Sequence, residues 1–466
     1  MIKTSDTMSS ASSSYQITVC CFTKFHLSNM HADNSLLRLK AIQNALSPPL
    51  KDSAYPPWKK VLILPDDATV DVLFPNPPEA QSIQIAINRK VVCAYRILAR
   101  SARLVVSGVG TPHEDKSDHI PQFPVLEILP ASAVDPSGNQ SISIEDAWGV
   151  LNALHTIYHT QEVIPIVVSS SLANGEEITK YLLESGLARK KHVLKGVSPD
   201  PELFLLRISF WQGAGTGGYH ERGWLRGKTD LLARAPFPWI PSFTRTPLVI
   251  AAHPLRPSKP QPGELVYRKY LPMVHQFLEF HYMDIEEKDG PTKGRHLAAF
   301  HKWQNNPIVN KGWGEAGPLE KHIQYVKELH AKPSVLPLIM SWDGELMGYT
   351  ELTYIKEDHV APHVPYGVGD YDRGLHILVG EEKFRGNARS QGWMSGIMHY
   401  LFLADPRTDR IIGEPKESNP AVLKLSLDIG MNIESRFDFP YKRSVITRLS
   451  RDRFFKYDIP SHVQPL

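Results

Sequence analysis

Cysteine is scarce in this chain: three among 466 residues, at Cys20, Cys21 and Cys93. That is too few for a disulfide framework or a zinc knuckle, and it suits a reducing compartment. Long apolar runs are missing as well. None reaches the roughly 20 residues a helix needs to cross a bilayer, so a membrane is not expected as a partner. Charge of one sign is also lacking. The net charge is +3 with both signs interspersed, which argues against a polyanion-binding surface and so against nucleic acid. No Ser or Cys stands in a nucleophile-elbow pattern. Metal spacing is weak too: His155 and His159 share a helical stretch without a Glu in the protease position, and His359 and His363 repeat that spacing in a proline-containing loop. Core or surface pairs are the expected reading of both, and no metal is expected.

What remains is an ordinary globular composition, 42% hydrophobic, with 38 prolines as punctuation. The length suits two or three domains. Residues 1–15 are Ser/Thr-rich and read as disordered. The first half, 16–235, is mixed α/β. Strands are expected at 59–64, 83–87, 103–106, 125–128, 163–169 and 203–210, with helices at 144–158 and 176–185. A proline-rich stretch, 236–263, reads as a linker. The second half, 264–457, is expected to run strand 265–268, helix 273–281, loop 295–317, helix 319–330 and strands 335–341 and 346–354. Strand 375–380, helix 392–403, strand 410–414, helix 420–427 and strand 434–439 follow. This is an α/β or α+β mixed-sheet order. A tail, 458–466, closes the chain. The two halves are similar in size and could be diverged copies, which the residues alone do not show.

Three motifs carry chemistry. Gly374-Leu-His-Ile-Leu-Val-Gly380 reads as a buried strand, and the loop Lys383-Phe-Arg-Gly-Asn-Ala-Arg389 leads into a helix. A strand–loop–helix start presents backbone N–H groups to phosphate oxygens. Gly386 and Ala388 permit close backbone approach, and Arg385 and Arg389 suit phosphate by their forked donors. Second, Phe300-His-Lys-Trp-Gln-Asn-Asn-Pro307, followed by Trp313, places a histidine, tryptophans and asparagines in one loop-like run. Its plainer reading is a structural loop plugged by Trp303 and Trp313. Third, Asp405-Pro-Arg-Thr408 precedes a strand ending at Glu414-Pro-Lys-Glu-Ser-Asn-Pro420. That puts carboxylates at a sheet edge, while Asn419 and Pro420 also fit a helix cap. By contrast, Gly213-Ala-Gly-Thr-Gly-Gly218 matches a dinucleotide fingerprint only literally, since no packed helix pattern follows it.

The 383–389 loop resembles the pyrophosphate loop of the GNAT acyl-CoA-dependent N-acyltransferases. The three motifs together resemble the siderophore acyltransferases of that superfamily. Phe210-Trp-Gln-Gly213 and His253-Pro-x-Arg-Pro257 extend the likeness to the fungal N5-hydroxyornithine transacylases. The resemblance implies two GNAT-like domains, the N-terminal one degenerate. It implies an acyl-CoA co-substrate, no permanently bound cofactor, N5-hydroxyornithine as acceptor and a hydroxamate product. The acyl group would be acetyl or a branched one such as anhydromevalonyl.

Residue by residue, His376 would be general base or substrate orienter, with Glu414 or Glu417 assisting it. Lys383, Arg385, Gly386, Asn387, Ala388 and Arg389 would hold CoA. His301, Trp303, Asn305, Asn306, Trp313 and Asn419 would line the acceptor side, and Asp372 would neutralise the ornithine ammonium. Ile308 stands where many relatives carry Arg. Two alternatives stay open: another acceptor amine such as hydroxylysine, and a non-catalytic acyl-CoA-binding protein. Fungal relatives divide between cytosol and peroxisome. The ending Gln464-Pro-Leu466 lacks the usual peroxisomal tripeptide, so the cytoplasm is expected, and a homo-oligomer is left open.

Overall fold

The computed structural model describes residues 58–73, 82–104, 112, 120–131, 141–191, 201–227, 239–286, 295–457 and 459. The expected disordered N-terminus, Cys20 and Cys21 lie outside them, as does nearly all of the tail.

The first half contains β1 (Trp58–Ile63), β2 (Thr69–Leu73), β3 (Ile83–Ile87), β4 (Lys90–Ala102), β5 (Phe123–Pro130), α1 (Ile144–Ile157), β6 (Val163–Val168), α2 (Gly175–Glu184), β7 (Ala188–Lys190), β8 (Leu203–Leu206) and α3 (Arg207–Trp211). Helix α1 starts where Ser143 caps the N–H of Asp146 and two acidic residues meet the positive end of the helix. A hairpin of β9 (Pro241–Arg245) and β10 (Ile250–Pro254) follows. The second half holds β11 (Leu265–Leu271), β12 (Gln276–Tyr282), α4 (Arg295–Gln304), α5 (Pro307–Trp313), α6 (Leu319–Ala331), β13 (Val335–Trp342), β14 (Glu345–Tyr354), β15 (Arg373–Val379), α7 (Asn387–Ala404), β16 (Arg410–Gly413), α8 (Pro420–Asp428), β17 (Asn432–Phe439), β18 (Lys442–Ser450) and α9 (Arg451–Lys456).

Both halves build an eight-stranded sheet of one topology. The orders are β1-β2-β3-β4-β5-β6-β8-β7 and β11-β12-β13-β14-β15-β16-β18-β17. In each, the fifth and sixth strands are parallel and the other pairs antiparallel. The correspondence reaches single residues. Arg207 follows β8 and donates its backbone N–H to Glu162 O; Arg451 follows β18 and donates to Asp409 O. The halves share one apolar core. At their seam Trp211 stacks on Trp224 at 5.1 Å, and His399 Nε2 donates to Trp211 O at 2.7 Å.

Several expected elements come out differently. The stretch 273–281 is not a helix but a turn leading into β12. Val274, Phe277, Leu278 and His281 mimic helical spacing, yet His275 sits at φ 54° and the chain reverses onto β11. The expected loop 295–317 contains helices α4 and α5. Asn306 caps α5 through the N–H of Ile308, Pro307 opens it and Gly314 closes it in a left-handed conformation. The strand expected over 203–210 stops at Leu206 and turns into α3. The strand expected at 103–106 is instead β4, which ends at Ala102; Val105 and Val106 lie outside the described residues. Within the proline-rich stretch, the β9–β10 hairpin is tied down: Thr244 Oγ1 and Arg256 Nε both donate to the Glu357 carboxylate, at 2.8 and 2.5 Å.

Arg207 also ties the halves together, donating to His159 O at 3.0 Å and Lys456 O at 2.6 Å from a buried position. Arg207→Met is expected to cost about 2–3 kcal/mol, because charged hydrogen bonds to buried carbonyls are lost. Denaturant unfolding should still show one transition for both halves, since they share a core; two separated transitions in the unmodified chain would contradict that.

Candidate active site

Strands β15 and β16 pair at only two positions, Arg373 with Ile411 and Gly374 with Ile412. Beyond them β15 stays paired to β14 alone, through Val379. The sheet is therefore split from Leu375 onward, and the cleft is bounded by the end of β15 and by Glu414 just past β16. His376 is the second residue after the split.

The ring of His376 lies between two carboxylates. Nδ1 donates to Glu351 Oε2 at 3.3 Å and Nε2 to Glu414 Oε1 at 3.2 Å. Acceptors on both nitrogens are satisfied together only by the imidazolium. The surrounding protein opposes the charge, but the hydrogen bonds and charges of Glu351 and Glu414 outweigh it and push His376 up to about 10. The ring stays 39% exposed while Glu351 is only 6% exposed, so His376 and not Glu351 is open to a substrate.

Each carboxylate is held in turn. Glu351 lies opposite His376 across the β14–β15 ladder and accepts from Tyr325 OH at 2.5 Å and Tyr349 OH at 3.1 Å. Glu414 pairs with Lys442 and accepts from Ser444 Oγ at 3.5 Å. Burial works against its charge, yet His376 and Lys442 hold its carboxyl below the usual range. Trp313 closes one side, its ring centroid 6.4 Å from that of His376 and its Nε1 donating to Ile377 O at 3.3 Å. Nearby, His359 bonds Asp358 at 3.0 Å and Tyr441 OH at 3.2 Å. The charges of Asp358 and His359 couple to His376.

The loop after β15 ends at Gly386, at φ 128° and ψ 156°, a conformation that strains any L side chain. Helix α7 begins at the next residue, and the N–H groups of its first turn have no intrahelical acceptor. Arg385 donates to Val379 O at 3.2 Å and to Glu382, Arg389 donates to Gln276 Oε1 at 3.0 Å, and Lys383 pairs with Glu345 at the surface. These cations brace the loop. Trp303 belongs to this brace. Its Nε1 donates to Glu381 Oε1 at 2.8 Å, and its ring fills the space where a Cβ on Gly380 would stand, at 2.2 Å.

Of the two glutamates left open by the sequence, geometry brings Glu414 to His376. Glu417 is engaged by Arg436 at 2.5 Å and Arg443 at 3.0 Å. Other expected acceptor residues have structural partners. Asp372 is buried against Arg410 at 2.5 Å, which cancels the charge offered to a ligand. Asn306 and Asn419 cap helices α5 and α8. His301 shares a hydrogen bond with His322 at 2.7 Å, and Asn305 bonds Gly317, pinning α4 to the segment before α6. Sequence reasoning missed Glu351, Lys442, Tyr325 and the His359–Tyr441 pair. The only signal for Glu351 was its place on a strand next to that of His376. His155 is a buried ring stacked on Phe210 at 4.7 Å, pushed down to about 3 by burial and kept neutral. No cluster of metal-ligating residues occurs among the described residues.

A split between parallel fifth and sixth strands, followed by a glycine turn and a helix start, defines an acyltransferase of the GNAT class. Comparison with known proteins agrees. The acetyltransferase (GNAT) domain family matches residues 292–439. The chain is 36% identical over 413 residues to "Acyltransferase ato1" of Omphalotus olearius, covering 88% of this chain and 95% of that one. It is 34% identical to "N(5)-hydroxyornithine:cis-anhydromevalonyl coenzyme A-N(5)-transacylase SIDF" of Beauveria bassiana, covering 67% and 73%. It is 30% identical to "Hydroxyornithine transacylase SID3" of Ajellomyces capsulatus, covering 70% and 75%. The chain belongs to the siderophore N-acyltransferases of the GNAT superfamily, beside the fungal N5-hydroxyornithine transacylases.

His376 is raised, so its charged form prevails through neutral pH. Its contribution to stability is complete below the ordinary value of 6.5 and is lost as pH rises through about 10. In the free protein, proton NMR of this ring should show no titration between pH 6 and 8. Glu414→Gln should bring the midpoint down toward neutrality; an unmoved midpoint would contradict the carboxylate clamp.

Proposed function

We propose that this chain transfers an acyl group from acyl-CoA to the hydroxylated side-chain nitrogen of N5-hydroxyornithine, making a hydroxamate. The observation that carries the reading is His376, exposed at the split between β15 and β16 and clamped by Glu351 and Glu414. The pyrophosphate of CoA sits over the Gly386 turn and the first turn of α7, and the pantetheine arm enters the split. Acyl-CoA is a co-substrate, and no permanent cofactor is required. We place the enzyme in the cytoplasm, with the peroxisome as the alternative.

A hydroxylamine nitrogen is largely unprotonated at neutral pH, so it attacks the thioester carbonyl without first losing a proton. The C–N bond forms, and the nitrogen gives its proton to Glu414, the ionised group beside His376. As the C–S bond breaks, the imidazolium gives a proton to the leaving sulfur. The proton on Glu414 then restores His376 across their hydrogen bond. This makes His376 the acid and orienting group and Glu414 the base. Glu351, held by two tyrosines, fixes the ring.

The first half is, in our reading, a degenerate copy. Its β5 and β6 pair at Leu126–Ile128 with Ile166–Val168. Counted back from the strand ends, these β5 positions match Leu375–Ile377, where the second sheet is open. Glu127 stands where His376 does and is bound to Arg96 at 2.5 Å, opposite it as Glu351 is opposite His376. The join from Leu73 to Ile83 is also too short to hold the helices that α4, α5 and α6 supply between β12 and β13.

Purified chain given N5-hydroxyornithine and acyl-CoA should release thiol and form an iron-binding hydroxamate; no release with any hydroxylated diamino acid would sink the proposal. A donor panel of acetyl-CoA against branched acyl-CoAs, anhydromevalonyl-CoA among them, assigns the acyl group. His376→Ala should lower kcat by roughly 10²–10⁴ while CoA still binds. Gly386→Val should instead weaken CoA binding, because it strains the phosphate turn.

A further inference from the structure

One wall beside His376 has no role in the chemistry described so far. The segment after β14, residues 355–368, packs through Ile355, Val360 and Val364 against Ile412, Ile446 and Phe439. Ile412 pairs with Gly374, two residues before His376, so this segment covers the face of the sheet on which His376 stands. Leu375 and Ile377 point to the other face and share the main core with Ile397 and Leu401 of α7. The turn at the start of α7 belongs to that far face, and a donor held there reaches His376 through the split. Groups on the near face therefore meet the acceptor.

His359 and Tyr441 are a polar pair on this near wall. His359 Nδ1 bonds Asp358 Oδ1 at 3.0 Å, and its Nε2 bonds Tyr441 OH at 3.2 Å. Asp358 is fixed in turn by the N–H of Val360 at 3.0 Å. The hydrogen bond to Asp358 pushes His359 up against the effect of burial, which favours the imidazolium. An imidazolium donates from both nitrogens, so the Tyr441 oxygen accepts and its own proton is left to give. Burial, then the charges of Glu414 and Asp358, push the Tyr441 hydroxyl up, so it stays a neutral donor.

Tyr441 is 68% exposed, yet its ring stacks on Phe439 at 5.3 Å with 4° between the planes. The next residue, Lys442, pairs with Glu414, the carboxylate bonded to His376. The side chain is thus open, held in one orientation and adjacent in sequence to the clamp. An O–H donor backed by a cation suits an anion. The acceptor brings one, the α-carboxylate at the opposite end from its reacting nitrogen. The acyl groups considered, acetyl and anhydromevalonyl, bring none.

We propose that Tyr441, backed by His359, binds the α-carboxylate of the acceptor and so selects a hydroxylated amino acid over a hydroxylated amine that lacks the carboxylate. This rests on the functional reading above, in which the acceptor is N5-hydroxyornithine.

Steady-state kinetics of the full chain with N5-hydroxyornithine and with its decarboxylated analogue, N-hydroxy-1,4-diaminobutane, test it. The unmodified chain should prefer the amino acid by about tenfold or more in kcat/KM, as expected for one hydrogen bond to a charged group. Tyr441→Phe keeps the ring on Phe439 and removes the donor. It should lower kcat/KM for N5-hydroxyornithine by about that factor, mainly through KM, and bring the two acceptors close to parity. His359→Asn, which removes the cation behind the hydroxyl, should move the preference the same way. Equal kcat/KM for the two acceptors in the unmodified chain would overturn the proposal. So would a loss in Tyr441→Phe that is the same for both acceptors, or one that follows the acyl donor instead of the acceptor. No thiol release with either acceptor would overturn the functional reading, and this proposal with it.

Discussion

Everything at the site follows from where β15 and β16 stop pairing. A parallel pair that continued would satisfy its own backbone groups and close the sheet. Here the ladder ends after Gly374 and Ile412, and the unpaired edge of β15 becomes a wall. Because side chains alternate along a strand, β15 presents His376 on one face of the sheet and Arg373 on the other. The first half shows the alternative outcome in the same molecule. There the ladder runs on through Ile128 and Val168, and the positions matching His376 and Glu351 hold a Glu127–Arg96 ion pair.

The clamp around His376 changes how the chemistry is read. An imidazole facing one carboxylate and one open side is a ready base. An imidazole facing two carboxylates is a cation, whose use is to orient, to stabilise and to give a proton. A hydroxylamine acceptor suits such a site, because its nitrogen needs no base before it attacks. The tyrosines on Glu351 and the lysine on Glu414 keep both carboxylates in place, so removing either partner alters the ring's charge as well as its position.

The sequence made the strand–loop–helix unit at 374–404 legible, because an apolar run, Gly386 and a long helical stretch agree at every level. It also exposed His376 and Glu414 as chemistry-bearing residues near it. It did not reveal partners. Asp372, Glu417, Asn306 and Asn419 are the right residue types in the right neighbourhood, yet Arg410, Arg436, Arg443 and two helix ends claim them. Glu351 lies 25 residues from His376 in sequence and opposite it in space, a pairing that only strand register creates. The turn at 272–275 misled for a related reason: apolar spacing by three and four is shared by a helix and by a strand buried on both faces, and length alone did not separate them. The shared topology was hidden because the two halves keep strand order while differing in sequence.

The central claim is that His376 works as a clamped cation. The pH dependence of kcat with N5-hydroxyornithine and acyl-CoA tests it most directly. The account predicts a level rate from neutrality to about pH 9, and a fall as the ring loses its proton near 10. A rate that instead rises through the ordinary imidazole value of 6.5, as for a neutral base, would contradict it.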